Sequence, residues 1–353
     1  MSERVPAIIL GGTGYVAGEL LRLVLGHPRL ELAAIASDSQ PGEPVARAFP
    51  HLAAACGDLA YVSITEATEF AARNARSAVL AAAPHGVSHR LIDWLLTRAE
   101  AAGARPSVVD VSADYRFSDL AEYERVYGHP HGAPARAREF TCAVPEHLDR
   151  APTPHVAHPG CFVTASLLAV VPLLKLGLVD GPVFVSAVTG STGAGRAPVA
   201  GTHHPLRHSD LYAYNALAHR HGAEINALAR AAAGTDATVA FVPHSGPFAR
   251  GIHATAQAKL SRPLDTPAAL AALGDFYAGR PFVRVLPEPP RVKDVVASNY
   301  AHLSAATDGR TIAVMSVVDN LVKGAAGGAM QWMNRLLGFA ETDGLTTPAP
   351  GWT

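Results

Sequence analysis

Cys161 stands behind a Pro-Gly pair and ahead of an apolar run in VAHPGCFVTASLLAVVPLLKLG, residues 156–177. A thiol with an ordinary pKa of ~8.5 is mostly protonated at neutral pH. In the first turn of a helix it meets unpaired backbone N–H groups and the positive end of the helix dipole, and both favour thiolate. The run TASLLAVV (164–171) predicts such a helix, with Cys161 at or just before its first turn. The other reading is a small buried hydrophobe that only packs, and this stretch by itself does not decide between them.

Two further stretches bear on the choice. TGSTGAGRAP (189–198) follows a strand-like run and ends in a cation. Such a loop can turn its backbone N–H groups inward as a nest for an anion, with Ser191 and Gly193 in the nest and Arg196 adding charge. YNALAHRHGAEI (214–225) gathers His219, His221 and Glu224 on a short helical pattern. His219 there is a candidate acid/base partner for the thiol, with a carboxylate to orient it; the rival reading is a solvated polar helix face. The remaining histidine clusters, HHPLRH, PHGVSH and HPH, contain no HExxH spacing and no clean carboxylate-histidine set, so no metal site is expected.

Near the N-terminus, PAIIL (6–10) leads into GGTGYVAGELLRL. Gly12-x-Gly14-x-x-Ala17 lies between a strand and a helix, where glycines allow a tight turn and the helix N-terminus offers N–H donors to a pyrophosphate. The next strand, LELAAIAS, ends at Ser37 followed by Asp38. A hydroxyl at that tip leaves room for a 2′-phosphate where an acidic residue would select NAD, so NADP(H) is the expected cofactor.

These groups need a scaffold. In the first half, apolar runs at 6–10, 30–37, 77–84 and 107–114 alternate with helical patterns at 15–28 and 87–103, which predicts βαβ units on a parallel sheet. The second half changes character. GIHATAQAKL (251–260) alternates strictly between apolar and polar, as a strand with one wet face does, and 182–190, 237–244, 282–286 and 311–320 are strand-like. Prolines 145, 152, 154 and 159 mark the transition. The fold class is therefore α/β: an N-terminal Rossmann domain (1–157 and 322–353) with an inserted α+β catalytic domain on a mainly antiparallel sheet (158–321).

Composition narrows the partners. The 353 residues carry a formal net charge of -1, with 49% hydrophobic and 17% charged residues, so no basic stripe points to nucleic acid. No stretch reaches ~18 uninterrupted apolar residues, so no membrane span is expected. The three cysteines lie far apart, and the opening residues lack a secretion-signal pattern; both suit a cytoplasmic protein.

In order along the chain, GGTGYVAGELLRL, APHGVS, DVSADYR, AVPE, HPGCFVTA, TGSTGAGR, HRHGAEI, PHSGPFARGI and DNLVKGAAGGAMQWMN resemble the N-acetyl-γ-glutamyl-phosphate reductases of arginine biosynthesis. That family sits within the wider aspartate-semialdehyde and glyceraldehyde-3-phosphate dehydrogenase group. The resemblance implies NADPH, a small acyl-phosphate substrate, inorganic phosphate as product and a homodimer or homotetramer. It implies Cys161 as nucleophile and His219 as acid/base. It also implies Gly12, Thr13, Gly14, Tyr15 and Ala17 in the cofactor loop, Ser37 near the adenosine ribose and Asn320 near the nicotinamide. Arg116, Ser191, Gly193, Arg196 and Glu224 then line the substrate and phosphate region. Two alternatives stay open: a carrier-protein-linked α-aminoadipyl phosphate reductase of lysine biosynthesis, and a non-catalytic NADP-binding sensor of the same fold. One departure stands out. The family's usual GCYPTA is GCFVTA here, and losing Tyr-Pro is expected to alter the start of the nucleophile's helix.

Overall fold

The computed structural model describes residues 4–352. The chain forms two compact units. One takes the chain up to Cys142, Arg150–His158 and Ala326–Thr346; the other takes Ala143–Asp149, Pro159–Ala325 and the tail from Thr347.

The first unit is built on six parallel strands in the order β2-β1-β3-β4-β6-β5. They are β1 (Val5–Leu10), β2 (Leu30–Ala36), β3 (Ala78–Ala81), β4 (Ser107–Asp110), β5 (Phe140–Cys142) and β6 (His155–Ala157). The central strands are buried on both faces, so their sequences read as continuous Ala/Val/Ile/Leu rather than as alternation. Helices α1 (Tyr15–Leu25), α2 (Ile64–Arg73), α3 (Ser88–Ala101) and α4 (Leu120–Tyr127) belong to this unit. Ser63 and Glu66 form a reciprocal capping box at the start of α2.

The second unit carries a seven-stranded mixed sheet in the order β11-β12-β13-β10-β7-β9-β8. Its strands are β7 (Val179–Thr189), β8 (Tyr212–Ala213), β9 (Val239–Ser245), β10 (Ile252–Leu260), β11 (Val283–Val285), β12 (Ala301–Thr307) and β13 (Thr311–Val318). The pairs β7–β9 and β11–β12 are parallel and the rest antiparallel. The alternation in β10 appears as predicted: Ile252, Ala254, Ala256, Ala258 and Leu260 are buried, and the intervening residues are not.

Helix α5 (Cys161–Lys175) supplies the centre of this unit's core. Every residue from Phe162 to Leu174 is buried, because a helix apolar on all sides has no face to give to water. It packs with β7, β10 and β13 and with α6 (Arg220–Ala233), while α7 (Thr266–Phe276) packs against β12. The last helix, α8 (Gly327–Leu337), returns to the first unit and is preceded by a π-helical turn, Val322–Ala326.

Candidate active site

Cys161 is the first residue of α5, and Gly160 is its cap residue with no side-chain capping bond. The expected disturbance from losing Tyr-Pro does not appear as a delayed helix. The first turn closes through Thr164 N, which donates to Gly160 O at 2.8 Å, and Thr164 Oγ1, which donates to the same carbonyl at 3.2 Å. Phe162 and Val163 are buried in that turn, so apolar packing supplies the rigidity that a proline ring would otherwise give. Phe162 also meets the rings of His219 (6.0 Å), His221 (6.0 Å) and Phe241 (5.3 Å) edge-on.

His219 is the cap residue of α6, and its Nδ1 accepts from the His221 amide at 3.1 Å. A backbone N–H can only donate, so Nδ1 is the acceptor and the proton of the neutral ring sits on Nε2. Burial, with the Arg220 charge in second place, pushes the His219 pKa down to about 4. The ring is therefore neutral at physiological pH and presents an N–H donor.

Glu224 does not take up the orienting role expected of it. Its fully buried carboxylate accepts from Gly160 N at 2.7 Å, at the residue that caps the nucleophile's helix. It tethers α6 to the start of α5.

Cys161, His219 and Tyr214 line one cavity of about 600 Å³ together with Ser191, Gly193 and Ser245. Tyr214 was not singled out by sequence reasoning, although it is the first residue of YNALAHRHGAEI. Burial, followed by the neighbouring Cys161 sulfur, pushes its phenol up to about 12, so it remains a donor beside the thiol.

The loop after β7 corrects one expectation. Its amides do not form a nest. Ser191 N donates to Phe248 O (2.9 Å), Thr192 N to Ala249 O (3.1 Å), Gly193 N to Gly190 O (3.2 Å) and Gly195 N to Thr192 O (3.1 Å). The loop instead docks on residues 248–250. A Cβ on Gly190 would lie 2.4 Å from Ala249 O, which leaves room only for glycine. Ser191 and Gly193 reach the cavity, while Arg196 is exposed beyond it. Asn320 holds the same loop: its Nδ2 donates to Thr192 Oγ1 (3.0 Å) and its Oδ1 accepts from Gly251 N (2.7 Å). Arg116 is placed in the first unit, buried, with Nε donating to His158 O (3.0 Å) and NH2 to Val111 O (2.8 Å).

The cofactor loop also belongs to the first unit. Gly14 caps α1 with no side-chain bond, and a Cβ there would meet nothing within 4 Å. Gly12 is tight: a Cβ would come within 2.7 Å of Ile35 and 2.9 Å of Tyr61, whose hydroxyl donates to Gly12 O. The residue that needs a left-handed backbone is Gly11, with φ 76°, and its missing Cβ admits Ala83 at 2.5 Å. The Gly11-Gly12 doublet was the signal for it. Thr13 is half-buried, Tyr15 is exposed at the mouth of the loop and Ala17 is fully buried. Ser37 directly follows β2, buried, with its hydroxyl 3.3 Å from that of Ser39, while Asp38 is exposed to solvent. An uncapped helix N-terminus with open space above a glycine, and hydroxyls at the tip of β2, fit the phosphates of NADP(H).

Among the described residues, no group of three or more His, Cys, Asp or Glu is placed to hold a metal ion. Among the same described residues, no helix is long and apolar enough to cross a membrane.

Residues 6–150 match the semialdehyde dehydrogenase NAD binding domain, and residues 161–320 match the semialdehyde dehydrogenase dimerisation domain. The N-acetyl-gamma-glutamyl-phosphate reductase of Rhodospirillum rubrum is 39% identical over 354 residues, covering 98% of each chain. That of Ectopseudomonas mendocina is 40% identical over 349 residues, covering 97% of this chain and 98% of its own. Among solved structures, a probable aspartate-semialdehyde dehydrogenase from Pseudomonas aeruginosa has a TM-score of 0.67 at 20% identity, covering 95% of this chain and 99% of its own. Aspartate semialdehyde dehydrogenase II from Vibrio cholerae has a TM-score of 0.68 at 15% identity, covering 95% and 98%. At those identities the likeness is one of fold.

Proposed function

Because the chain belongs to the N-acetyl-gamma-glutamyl-phosphate reductase family, we propose that it catalyses the NADPH-dependent reductive dephosphorylation of N-acetyl-γ-glutamyl phosphate to the 5-semialdehyde, through a thioester on Cys161. The observation that carries this reading is one cavity lined by both a helix-starting cysteine and a half-buried neutral histidine.

The Cys161 sulfur attacks the acyl carbon of the mixed anhydride. The C–S bond forms, the acyl C–O bond breaks and phosphate leaves. A thioester accepts a hydride where a carboxylate does not, which is why the chemistry needs sulfur. NADPH, when bound, supplies that hydride. The resulting thiohemiacetal oxyanion collapses, breaking the C–S bond, and returns the aldehyde and the thiolate. No net proton is consumed at the carbonyl oxygen. His219 can therefore act by donating from Nε2 to the developing oxyanion, a contribution worth ~3 kcal/mol in comparable sites. The Tyr214 hydroxyl is a second donor in the same cavity. Ser191 and Gly193 border the space assigned to the phosphate, and Arg196 adds charge from outside it.

We assign cofactor binding to the first unit and acyl transfer to the second. Self-association as a dimer or tetramer is assigned to the second unit, supported by the matched domain's description and by the uncovered polar face of β10. No disulfide joins Cys56, Cys142 or Cys161, which suits a reducing cytoplasm.

The reverse reaction tests the activity: NADP reduction with phosphate and N-acetylglutamate semialdehyde, beside aspartate semialdehyde. Phosphate-dependent reduction that favours the acetylated substrate is expected. Phosphate-independent reduction, or preference for aspartate semialdehyde, overturns the assignment.

A further inference from the structure

The back of the nucleophile is formed by the π-helical turn Val322–Ala326. A Cβ on Gly324 would lie 2.8 Å from Cys161 Cβ and 3.1 Å from its Cα, so the turn's main chain rests directly on the cysteine. Two sets of contacts hold it there. At one end, the buried Asp319 carboxylate accepts from Leu321 N and Val322 N, each at 2.8 Å, and from Arg250 Nε and NH2 at 3.0 and 3.1 Å. Asp319 O accepts from Gly324 N at 2.9 Å, the five-residue step that makes the turn π rather than α. In the middle, Lys323 Nζ meets Glu146 Oε1 at 2.5 Å, and both side chains are wholly buried. The ammonium also lies 5.6 Å from the Phe282 ring centre.

Such a pair is poorly explained by stability. Desolvating two charges cancels most of their attraction, and an apolar pair of similar volume often serves a fold as well. A buried ion pair does, however, select one register, because any shift of the turn leaves an unpaired charge in a dry interior. The two charges come from segments 177 residues apart, so the pair ties the turn to the short 3-10 helix Pro145–His147.

We infer that Lys323 and Glu146 are positioning residues for the nucleophile: their ion pair latches the π-turn so that Gly324 sets where Cys161 sits at the start of α5. The inference rests on Cys161 being the reacting thiol, as proposed above.

The test replaces the pair by apolar residues, Lys323→Met with Glu146→Leu, and adds Gly324→Ala separately. Three quantities are read: the pH profile of Cys161 alkylation by iodoacetamide (followed by peptide mass spectrometry), kcat and KM. Both variants are expected to shift the midpoint of the alkylation profile by about half a pH unit or more. They are also expected to lower kcat about tenfold or more, with KM for the acyl phosphate changed less than about threefold. A folded double variant with the wild-type profile and kcat overturns the inference. If the double variant does not fold, Gly324→Ala carries the test with the same two outcomes. The alkylation profile needs no substrate, so it separates failure of the latch from failure of the substrate assignment.

Discussion

His219 Nδ1 accepts the His221 amide proton at 3.1 Å, and this one bond decides what the imidazole offers its cavity. With Nδ1 occupied, the neutral ring is an Nε2–H donor. A second proton would have to break the helix cap as well as charge a half-buried ring.

His219→Asn is therefore expected to slow turnover by about 10²–10³-fold while leaving NADPH affinity nearly intact. Steady-state kinetics together with fluorescence titration of NADPH check this. Near-wild-type turnover would remove His219 from the chemistry. Because its pKa lies near 4, wild-type kcat/KM should show no inflection close to 6.5 arising from this ring.

Glu224→Ala leaves the buried Gly160 amide without its acceptor and is expected to cost about 1–3 kcal/mol of stability. Activity should fall as well, because the amide lies one residue before Cys161. Glu224→Gln keeps an acceptor oxygen and should recover most of both losses. Urea unfolding and turnover measured on the same preparations distinguish them; equal losses in the two variants would mean that the negative charge, not the acceptor, is what matters.

Ser37→Asp places a carboxylate where the 2′-phosphate is expected. It should raise KM for NADPH at least about tenfold while changing KM for NADH little. An unchanged NADPH/NADH ratio would move the 2′-phosphate away from the tip of β2.

Acid should destabilise the fold through its histidines. Burial pushes His147, His155 and His219 down to about 4 from an ordinary 6.5. Between those values the unfolded chain binds protons that the folded chain does not, so stability drops as pH is lowered through that window. Asp110 acts in the opposite sense. Burial and the neighbouring Asp114 raise it to about 6 from 3.8, so its contribution is complete below 3.8 and is lost as pH rises through 6. Three histidines outweigh one carboxyl, and unfolding free energy should decrease from about pH 7 to about pH 5. Asp110→Asn, which removes the compensating group, should steepen that decrease. A flat or rising profile in urea titrations would contradict the assignment of these rings as neutral.

Much of this protein could be read without coordinates, because the signals were periodic or local. Continuous apolar strands, the strict alternation of β10 and the glycine turn before α1 each follow from steric and burial rules acting over a few residues, and so does a cysteine opening an apolar helix. What the sequence could not decide was where polar groups spend their hydrogen bonds, since their partners are distant in the chain. The 189–195 loop looked like an anion nest, but the Ser191 and Thr192 amides dock on Phe248 and Ala249, and those of Gly193 and Gly195 close turns within the loop. Asn320 looked like a cofactor contact, and its amide clamps Thr192 and Gly251. Glu224, close to His219 in sequence, serves Gly160, 64 residues away. Phe162 and Val163 posed the question of whether α5 could start without the usual Tyr-Pro, and packing answered it: both side chains are buried, and the first turn closes on Gly160 O. Local chemistry chose the elements and the reactive residue types. Only tertiary packing decided which buried donor meets which acceptor, because each such pairing depends on bringing distant segments into register.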